Sequence, residues 1–464
     1  MTSGSKAGSS SDAITLLAIG DVHLGTRPAS LPGDLADWGV DPRRLTPEAA
    51  LGAAVDRAIA ERVDAVVFAG DVVESTNARF EAIRPLEAAV RRLTEAGIPV
   101  LGVVGNHDVE ALPRLAALIE GFSILGEGGR WESRTIEKNG RPAVEIVGWS
   151  FPEREFRNSP LAHLSRTLPP SPGTDLPRLG ILHGDLDASG GPYAPFSRRE
   201  VDAAGLDAWL LGHIHRPSLG SSAGADGSVP CGYLGSLVGL DPSETGCHGP
   251  WLIRIEGPGR IVPEHLPMAA LRWEHLDVIV GEEDGPDDLG DRLLDAAEQL
   301  AREIHRAGCV PAALGVRARL VGPTRHYGPI RRWIDASRWD EIRRTTGETV
   351  VFVDKVIDGL ELFVELEEIA TGDDPPALLA GKLLILKRGG EARRELLELA
   401  RNGLGTLASD NRWGPLGGVR GAEDPLSDDA LGALLERAGT AALHSLLSQR
   451  AARAQGRAGG NSAS

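Results

Sequence analysis

Histidine, carboxylate and amide residues gather in five short groups along the chain: Asp21-Val22-His23, Gly70-Asp71, Gly105-Asn106-His107-Asp108, Ile181-Leu182-His183-Gly184 and Gly212-His213-Ile214-His215. Hard oxygen donors mixed with imidazoles suit Mn²⁺, Fe or Zn²⁺, and a carboxylate shared by two such ions lets them sit roughly 3.5 to 4 Å apart. Asp71 is the candidate for the shared group. Asp21, His23 and His215 would complete the shell of one ion, and Asn106, His183 and His213 that of the other, with an open face left for water and a phosphate. Both His213 and His215 can bind if their segment is a loop, where the up-down alternation of a strand has ended. Water held between two such ions has its pKa lowered toward neutrality and can attack phosphorus in line. Protonating the leaving group needs a separate donor. His107 follows a ligand without being needed as one, and Asp108 beside it is the candidate to orient that imidazole.

Each group taken alone has an ordinary reading: Asp-x-His as a hydrogen-bonded turn, Gly-Asn-His-Asp as a tight turn with left-handed backbone. Five groups in order, each after an apolar run, point instead to a metal site. Gly25, Gly70, Gly105, Gly184 and Gly212 read as places where the backbone must approach a metal or phosphate closely. Arg27, just past the first group, is a candidate phosphate contact, and so is Ser236, although Tyr233-Leu234-Gly235-Ser236 reads first as support for the site. The other histidines, His163, His248, His265, His275, His305, His326 and His444, need no function.

These side chains require elements that end together. The runs Ile14 to Ile19, Ala65 to Ala69, Val100 to Val104, Leu179 to Leu182 and Trp209 to Leu211 read as buried strands, so the polar groups fall at strand exits, where open α/β sheets place their sites. Thr46-Pro47-Glu48 starts a helix that runs to about residue 62, with a capping hydroxyl, proline at the first helical position and early negative charge. A second helix, from near Asn77 to Ala96, ends at Gly97 with Pro99 beyond it. Residues 134 to 149 alternate around Asn139-Gly140, a hairpin signal. The expected fold class is α/β, layered with sheets inside and helices outside, over residues 13–267. From 268 to 370 the sequence predicts a smaller α/β unit: strands near 276–280, 314–321 and 349–357, with helices near 289–306 and 330–344. Residues 371–376 read as a linker and 377–457 as a helical segment broken by its Gly-rich interior, 404–421. Residues 1–12 and 458–464 read as disordered tails.

Of 464 residues, 42% are apolar, enough for about two to four domains with sizeable cores. No stretch approaches the roughly 18 apolar residues of a membrane span, and residues 1–12 have no apolar signal core, so the expectation is a cytoplasmic protein with no membrane association. Cys231, Cys247 and Cys309 are too few and too scattered for a disulfide framework or a thiolate zinc site, and read as free thiols. The formal charge of −17 argues against coating nucleic acid by bulk electrostatics, and 4% aromatic content against a stacking platform for single strands. If the chain handles nucleic acid, metals and arginines must do most of the holding. Arg325, His326, Arg331, Arg332, Arg338, Arg343 and Arg344 outnumber Asp335, Asp340 and Glu341, which fits either a phosphate-contacting face or a solvated helix.

The five groups resemble the signatures of the calcineurin-like metallophosphoesterases. Within that superfamily, Gly20-Asp21-Val22-His23-Leu24-Gly25, the stretch after Gly70-Asp71, and Tyr233-x-Gly235-Ser236 followed by Gly239-Leu240-Asp241 look most like SbcD-type DNA-repair exonucleases, in particular a YhaO-like bacterial branch. The resemblance covers residues 13–267 strongly and 268–370 weakly, the latter as the family's capping domain. It implies a metallophosphoesterase β-sandwich flanked by helices, a small α/β cap that steers DNA, and a helical C-terminal segment that docks a coiled-coil ATPase of the SbcC or YhaN type. It further implies a pair of Mn²⁺ ions, DNA as substrate with exonuclease or endonuclease action in repair, and the ligand roles given above; a homodimer is left open. One departure stands out. Eukaryotic and archaeal relatives carry a second histidine three residues after the bridging aspartate, where this chain has Glu74.

Two other readings compete with a nuclease. A phosphodiesterase or phosphomonoesterase acting on small nucleotides uses the same metal core but needs neither a cap of a hundred residues nor a helical tail. A non-catalytic scaffold of the same fold would be expected to have lost at least one ligand, and none is missing.

Overall fold

The computed structural model describes residues 13–74, 79–164, 176–188, 190–221, 229–337, 339, 342–363, 365–408 and 427–459. It divides into two compact units. One comprises residues 1–278, 291–319 and 338–357, the other 279–290, 320–337 and 358–464.

In the first unit the apolar runs become strands β1 (Ile14–Ile19), β2 (Ala65–Phe68) and β3 (Val100–Gly102), separated by helices Pro47–Glu61 and Arg79–Glu95. Thr46 caps the first helix by accepting from the Ala49 N–H, with Pro47 at the first helical position. Strands β1, β2, β3 and β4 (Phe122–Ile124) are parallel, and β10 (Trp251–Gly257) and β11 (Arg260–His265) add antiparallel on the other side of β1, giving a six-stranded sheet. A second sheet has the order β5 (Trp131–Lys138), β6 (Arg141–Trp149), β7 (Arg178–His183), β8 (Ala208–Gly212) and β9 (Cys231–Tyr233), parallel from β6 onward. The hairpin joining β5 to β6 turns at Asn139 and Gly140, both with positive φ (55° and 72°), the backbone that an Asn-Gly pair adopts most readily.

The runs are apolar at every position because both faces of these strands are covered. Leu16 and Ala18 of β1, Val67 of β2 and Leu101 of β3 meet Ile146, Ile181 and Leu210 of the second sheet. The opposite faces, Leu17, Ile19, Val66 and Phe68, pack under Leu51, Val55, Leu86 and Val90 of the two helices. On the outer side of the second sheet, Val147, Trp149, Leu182 and Trp209 pack with Phe151, Phe196 and Val201. A sandwich flanked by helices results, as expected.

A third sheet has the order β12 (Leu271–Ile279), β13 (Ala313–Thr324), β15 (Thr349–Leu362), β14 (Arg343–Thr346). Within the first unit, Leu271 and Trp273 of β12, Ala313 of β13 and Phe352 of β15 share a core with Leu35, Leu45 and Val238. One expectation is overturned here. The helix foreseen over 330–344 is Tyr327–Ala336, closed where the Ser337 hydroxyl donates to the Trp333 carbonyl, and Arg343 and Arg344 lie in a strand. β-Branched Thr345 and Thr346 pair with Val350 and Thr349 around Gly347 (φ 59°), and that pairing outweighs the helical charge pattern. Arg338, Asp340 and Glu341 lie outside the described residues.

In the second unit, helices Pro375–Arg388, Glu391–Ala408 and Asp428–Gly459 share a leucine-rich core that includes Leu383, Leu397, Leu431 and Leu443. Asp374, expected in a linker, caps the first of them by accepting from the Ala377 N–H at 3.1 Å. The expected tail 1–12 and most of the Gly-rich interior and of the final tail fall outside the described residues. Among those described, no helix is long and apolar enough to cross a membrane.

Candidate metal centre

Five parallel strands deliver the polar groups: β1, β2 and β3 from one sheet, β7 and β8 from the other. All present them at or just past their C-terminal ends, so the two layers of the sandwich contribute to one site. The connecting turns are tight. His23 (φ 53°), Asp71 (φ 49°) and His213 (φ 104°) hold left-handed backbone that residues with side chains rarely adopt. Such conformations persist where the surroundings over-determine them. Here the Asp71 carbonyl accepts from the N–H groups of both Val22 and His23 at 3.0 Å, and the Asp21 carboxylate accepts from the His213 N–H at 3.0 Å. Glycine is required at two contacts: a Cβ on Gly105 would lie 2.2 Å from Asp71 Oδ1, and one on Gly212 would lie 2.1 Å from the Ala69 carbonyl oxygen.

The expected ligands converge in two clusters, Asp21, His23 and His215 in one and Asp71, His183 and His213 in the other, and a third group, His23, Glu74 and His107, overlaps the first; the donor atoms of each lie within 4.8 Å of one another. One oxygen of the second cluster also faces the first. Asp71 Oδ2 lies 3.3 Å from His183 Nε2 and 3.8 Å from His23 Nε2. Asn106 Oδ1 approaches His183 Nε2 at 3.0 Å, and His215 Nε2 approaches His23 Nε2 at 3.1 Å.

With the rings neutral, lone pairs face one another. The Ala69 carbonyl, 3.0 Å from His183 Nδ1, can only accept, so Nδ1 carries a proton and the neutral ring turns an Nε2 lone pair toward Asn106 and Asp71. Glu244 Oε1 does the same for His215, at 2.9 Å from Nδ1. Such buried convergence is costly unless positive charge sits among the donors. The same crowding shifts the acidity of the groups. Burial opposes a charged His23 and a charged His183, yet Glu74, Asp71 and Asp21 push His23 up to about 8, and Asp71, Asp21 and the Ala69 carbonyl push His183 up to about 9. Burial raises Asp71, but His183 and His23 hold it below the usual carboxylate range. Burial and neighbouring His183 push His213 down to about 3, which keeps it a neutral donor. The residues present therefore fit a pair of divalent cations.

His107 is half exposed at the edge of the cluster, its ring 5.1 Å from that of His23. Its Nδ1 partner is Glu74, whose Oε2 lies at 2.9 Å. This corrects the role expected of Asp108. The Asp108 carboxylate is fully buried and accepts from the N–H groups of Gly105 and Val72, both at 2.7 Å, so it ties the turn after β3 to the turn after β2. Ser236 also differs from expectation. Its hydroxyl is buried against His248 Nδ1 at 2.9 Å and Glu244 at 3.4 Å, beneath the cluster and out of reach of a phosphate. Arg27 is exposed and lines a cavity of about 730 Å³ with Thr26, Leu31 and Arg43.

Sequence reasoning missed three carboxylates that hold ligand or acid imidazoles: Glu74, Glu244 and Asp185, the last 3.2 Å from His213 Nε2. Glu74 was visible only as a departure from the family pattern, and Glu244 lies just past the quoted Gly239-Leu240-Asp241.

Comparison with known proteins agrees with this geometry. The calcineurin-like phosphoesterase family matches residues 14–217. The chain is 32% identical over 234 residues to the uncharacterized metallophosphoesterase YhaO of Bacillus subtilis, covering 49% of this chain and 54% of that protein. It is 27% identical over 282 residues to the DNA double-strand break repair protein Mre11 of Aeropyrum pernix, covering 58% of this chain and 64% of that protein. A Mre11 from Methanosarcina mazei is 27% identical over 173 residues, covering 35% of this chain and 27% of that one. The chain thus spans between half and two thirds of the length of the first two relatives. The match to the calcineurin-like phosphoesterase family is confined to residues 14–217, which carry all five polar groups.

Proposed function

We propose that the protein is a dinuclear-metal-dependent DNA nuclease, exonuclease or endonuclease, that hydrolyses phosphodiester bonds in DNA repair. The observation that carries the reading is the Asp71 oxygen 3.3 Å from His183 Nε2 in one cluster and 3.8 Å from His23 Nε2 in the other, since a carboxylate between two cations is what holds them at the spacing of in-line phosphoryl displacement. Asp21, His23 and His215 would hold one cation, Asn106, His183 and His213 the other, and Asp71 both; Mn²⁺ suits this mixed set, with Fe or Zn²⁺ as alternatives. When bound, such a pair lowers the pKa of water toward neutrality and carries charge that builds on the phosphate oxygens.

The chain's own groups would do the rest. Glu244 and the Ala69 carbonyl fix the tautomers of His215 and His183, so each presents Nε2. Glu74 holds His107 through Nδ1, which leaves Nε2 to give a proton to the departing oxygen. Residues 268–370 would act as a cap that steers DNA, and the helical segment 377–457 would dock a coiled-coil ATPase of the SbcC or YhaN type. The names of the relatives favour DNA over small nucleotides as substrate. A cytoplasmic site of action is part of the same proposal.

The test is a nuclease assay on linear duplex and single-stranded DNA, with and without Mn²⁺. Metal-dependent shortening or cutting, abolished in Asp71→Ala, is expected. Rapid hydrolysis of cyclic nucleotides with intact DNA would replace the reading with a small-nucleotide phosphodiesterase, and inactivity on both would leave a scaffold.

A further inference from the structure

His248 lies in the loop between β9 and β10, is 1% exposed, and has both ring nitrogens engaged. Nε2 is 3.1 Å from the Glu244 carbonyl oxygen, and Nδ1 is 2.9 Å from the Ser236 hydroxyl and 3.2 Å from the Ser236 carbonyl oxygen. Both carbonyls can only accept, and a neutral ring has one N–H. If Nδ1 carried it, an Nε2 lone pair would face the Glu244 carbonyl. With the proton on Nε2, that nitrogen donates to Glu244 and Nδ1 accepts from the Ser236 hydroxyl, so both are satisfied. Burial lowers the pKa of the imidazole, which keeps it in this neutral form. The loop cannot carry the ring away, because a Cβ on neighbouring Gly249 (φ 147°) would lie 2.0 Å from the Leu266 carbonyl oxygen, and the Ala269 N–H donates to the His248 carbonyl at 3.2 Å.

Both residues that His248 holds lie against the first cluster. Glu244 Oε1 accepts from His215 Nδ1 at 2.9 Å. The Ser236 N–H donates to the His215 carbonyl at 2.9 Å. On either side of it, the Gly235 carbonyl accepts from the Asp21 N–H at 3.2 Å and the Leu237 N–H donates to the Asp21 carbonyl at 3.1 Å. The second cluster is supported from elsewhere, His183 by the Ala69 carbonyl at 3.0 Å and Asp71 Oδ1 by the His107 N–H at 2.9 Å. We propose that His248 is a positioning residue for one cation of the pair, orienting Glu244 and Ser236 and, through them, His215 and Asp21. The inference rests on the dinuclear reading above and adds an asymmetry to it. Without the imidazole, the Ser236 hydroxyl is free to turn its one proton to Glu244 Oε2, 3.4 Å away, and the Glu244 carbonyl loses its donor. The carboxylate that locks the His215 ring is then held differently. Outer partners of ligand imidazoles are worth about 10–100-fold in metal affinity, and His248 stands one bond beyond such a partner, so the expected loss is about 10-fold, for the cation of Asp21, His23 and His215 alone.

The experiment is calorimetric titration of the full-length protein with Mn²⁺ after removal of metal by chelator. Wild type should take up two equivalents. In His248→Leu, one equivalent should bind as in wild type and the other about 10-fold more weakly, with full occupancy regained as Mn²⁺ is raised. His248→Asn places an acceptor where Nδ1 was, and His248→Gln a donor where Nε2 was, so each should lose less than His248→Leu. Ser236→Ala, which removes the hydroxyl without opening a large void, should weaken the same single equivalent and serves if His248→Leu does not fold. A histidine that only supports the fold would behave otherwise: its variants would melt at lower temperature in chelator and bind both equivalents less tightly. Equal weakening of both equivalents, or two unchanged ones in His248→Leu and Ser236→Ala, would overturn the proposal while leaving the dinuclear reading in place. A wild-type protein that takes up no Mn²⁺ would remove that reading and this proposal with it.

Discussion

Nδ1 of His215 donates to Oε1 of Glu244 across 2.9 Å, and the other oxygen of the same carboxylate accepts from the Leu240 N–H at 3.0 Å. A carboxylate with both oxygens engaged cannot swing away, so the ring is locked with Nε2 toward His23. Carboxylates that orient ligand imidazoles in this way are worth about 10–100-fold in metal affinity. Glu244→Gln keeps one acceptor oxygen but must turn an NH₂ toward either His215 or Leu240, both donors. Its metal affinity should fall by about 10-fold or more with the fold intact, as read by calorimetric titration beside a circular dichroism melt. Unchanged affinity would mean the ring is held by something else.

The close approach of Gly105 to Asp71 predicts a sharper effect. A Cβ there would meet Asp71 Oδ1 at 2.2 Å and Asp71 N at 2.7 Å, and neither the left-handed Asp71 backbone nor its carboxylate has room to retreat. Gly105→Ala should therefore cost stability by about 1–3 kcal/mol, as overpacking does, and should abolish binding of both cations by displacing their shared oxygen. Gly52 makes the comparison fair. It sits inside helix Pro47–Glu61 with open space where a Cβ would go, so Gly52→Ala should stabilise by roughly 0.5–1 kcal/mol and leave metal content untouched. Denaturant midpoints and metal analysis on the two variants separate a local steric effect from a general one.

What the sequence revealed of the site follows from which interactions are local. The five ligand groups were legible because each closes a strand buried on both faces, and such strands are uniform apolar runs whose ends are marked by the first polar residue. Leu16 and Leu17 face different layers yet are equally buried. The imidazole-holding carboxylates were not legible, because Glu74 meets His107 from 33 residues away and Glu244 meets His215 from 29, and no periodicity encodes either pairing. Asp108 misled for the opposite reason. It neighbours His107 in sequence, but the turn points its carboxylate back at the Gly105 and Val72 N–H groups. Arg343 and Arg344 looked helical by composition, and only pairing with β15 makes them a strand.

His107 and Glu74 make a pair whose removal should split binding from turnover. His107→Asn leaves every proposed ligand in place, so two cations should still bind while turnover falls by about 10²–10⁴-fold, the range for losing a general acid. Glu74→Gln keeps an acceptor for Nδ1 and should cost less than His107→Asn. Metal stoichiometry measured beside kcat on a DNA substrate decides the matter. A His107→Asn protein that loses its metals along with activity would place His107 among the ligands.

The metal-free protein should lose stability as pH rises, in a window set by two histidines. Neighbouring carboxylates lift His23 from 6.5 to about 8 and His183 from 6.5 to about 9, in both cases against burial. A group whose pKa is higher folded than unfolded binds its proton more tightly in the native state, so its contribution is complete below about pH 6.5 and drains away as pH climbs through the folded values. The melting temperature in chelator should therefore fall between about pH 6.5 and 9. Cations reverse the sign of the argument, because they need those imidazoles neutral and displace the protons on binding. With saturating divalent metal the decline across the same window should disappear, and the gap between loaded and metal-free melting temperatures should widen toward pH 9. Calorimetry at neutral pH in two buffers of different ionisation enthalpy should register proton release on metal addition. Parallel curves with and without metal, or no proton release, would separate these histidines from the cations and leave Asp71 bridging nothing.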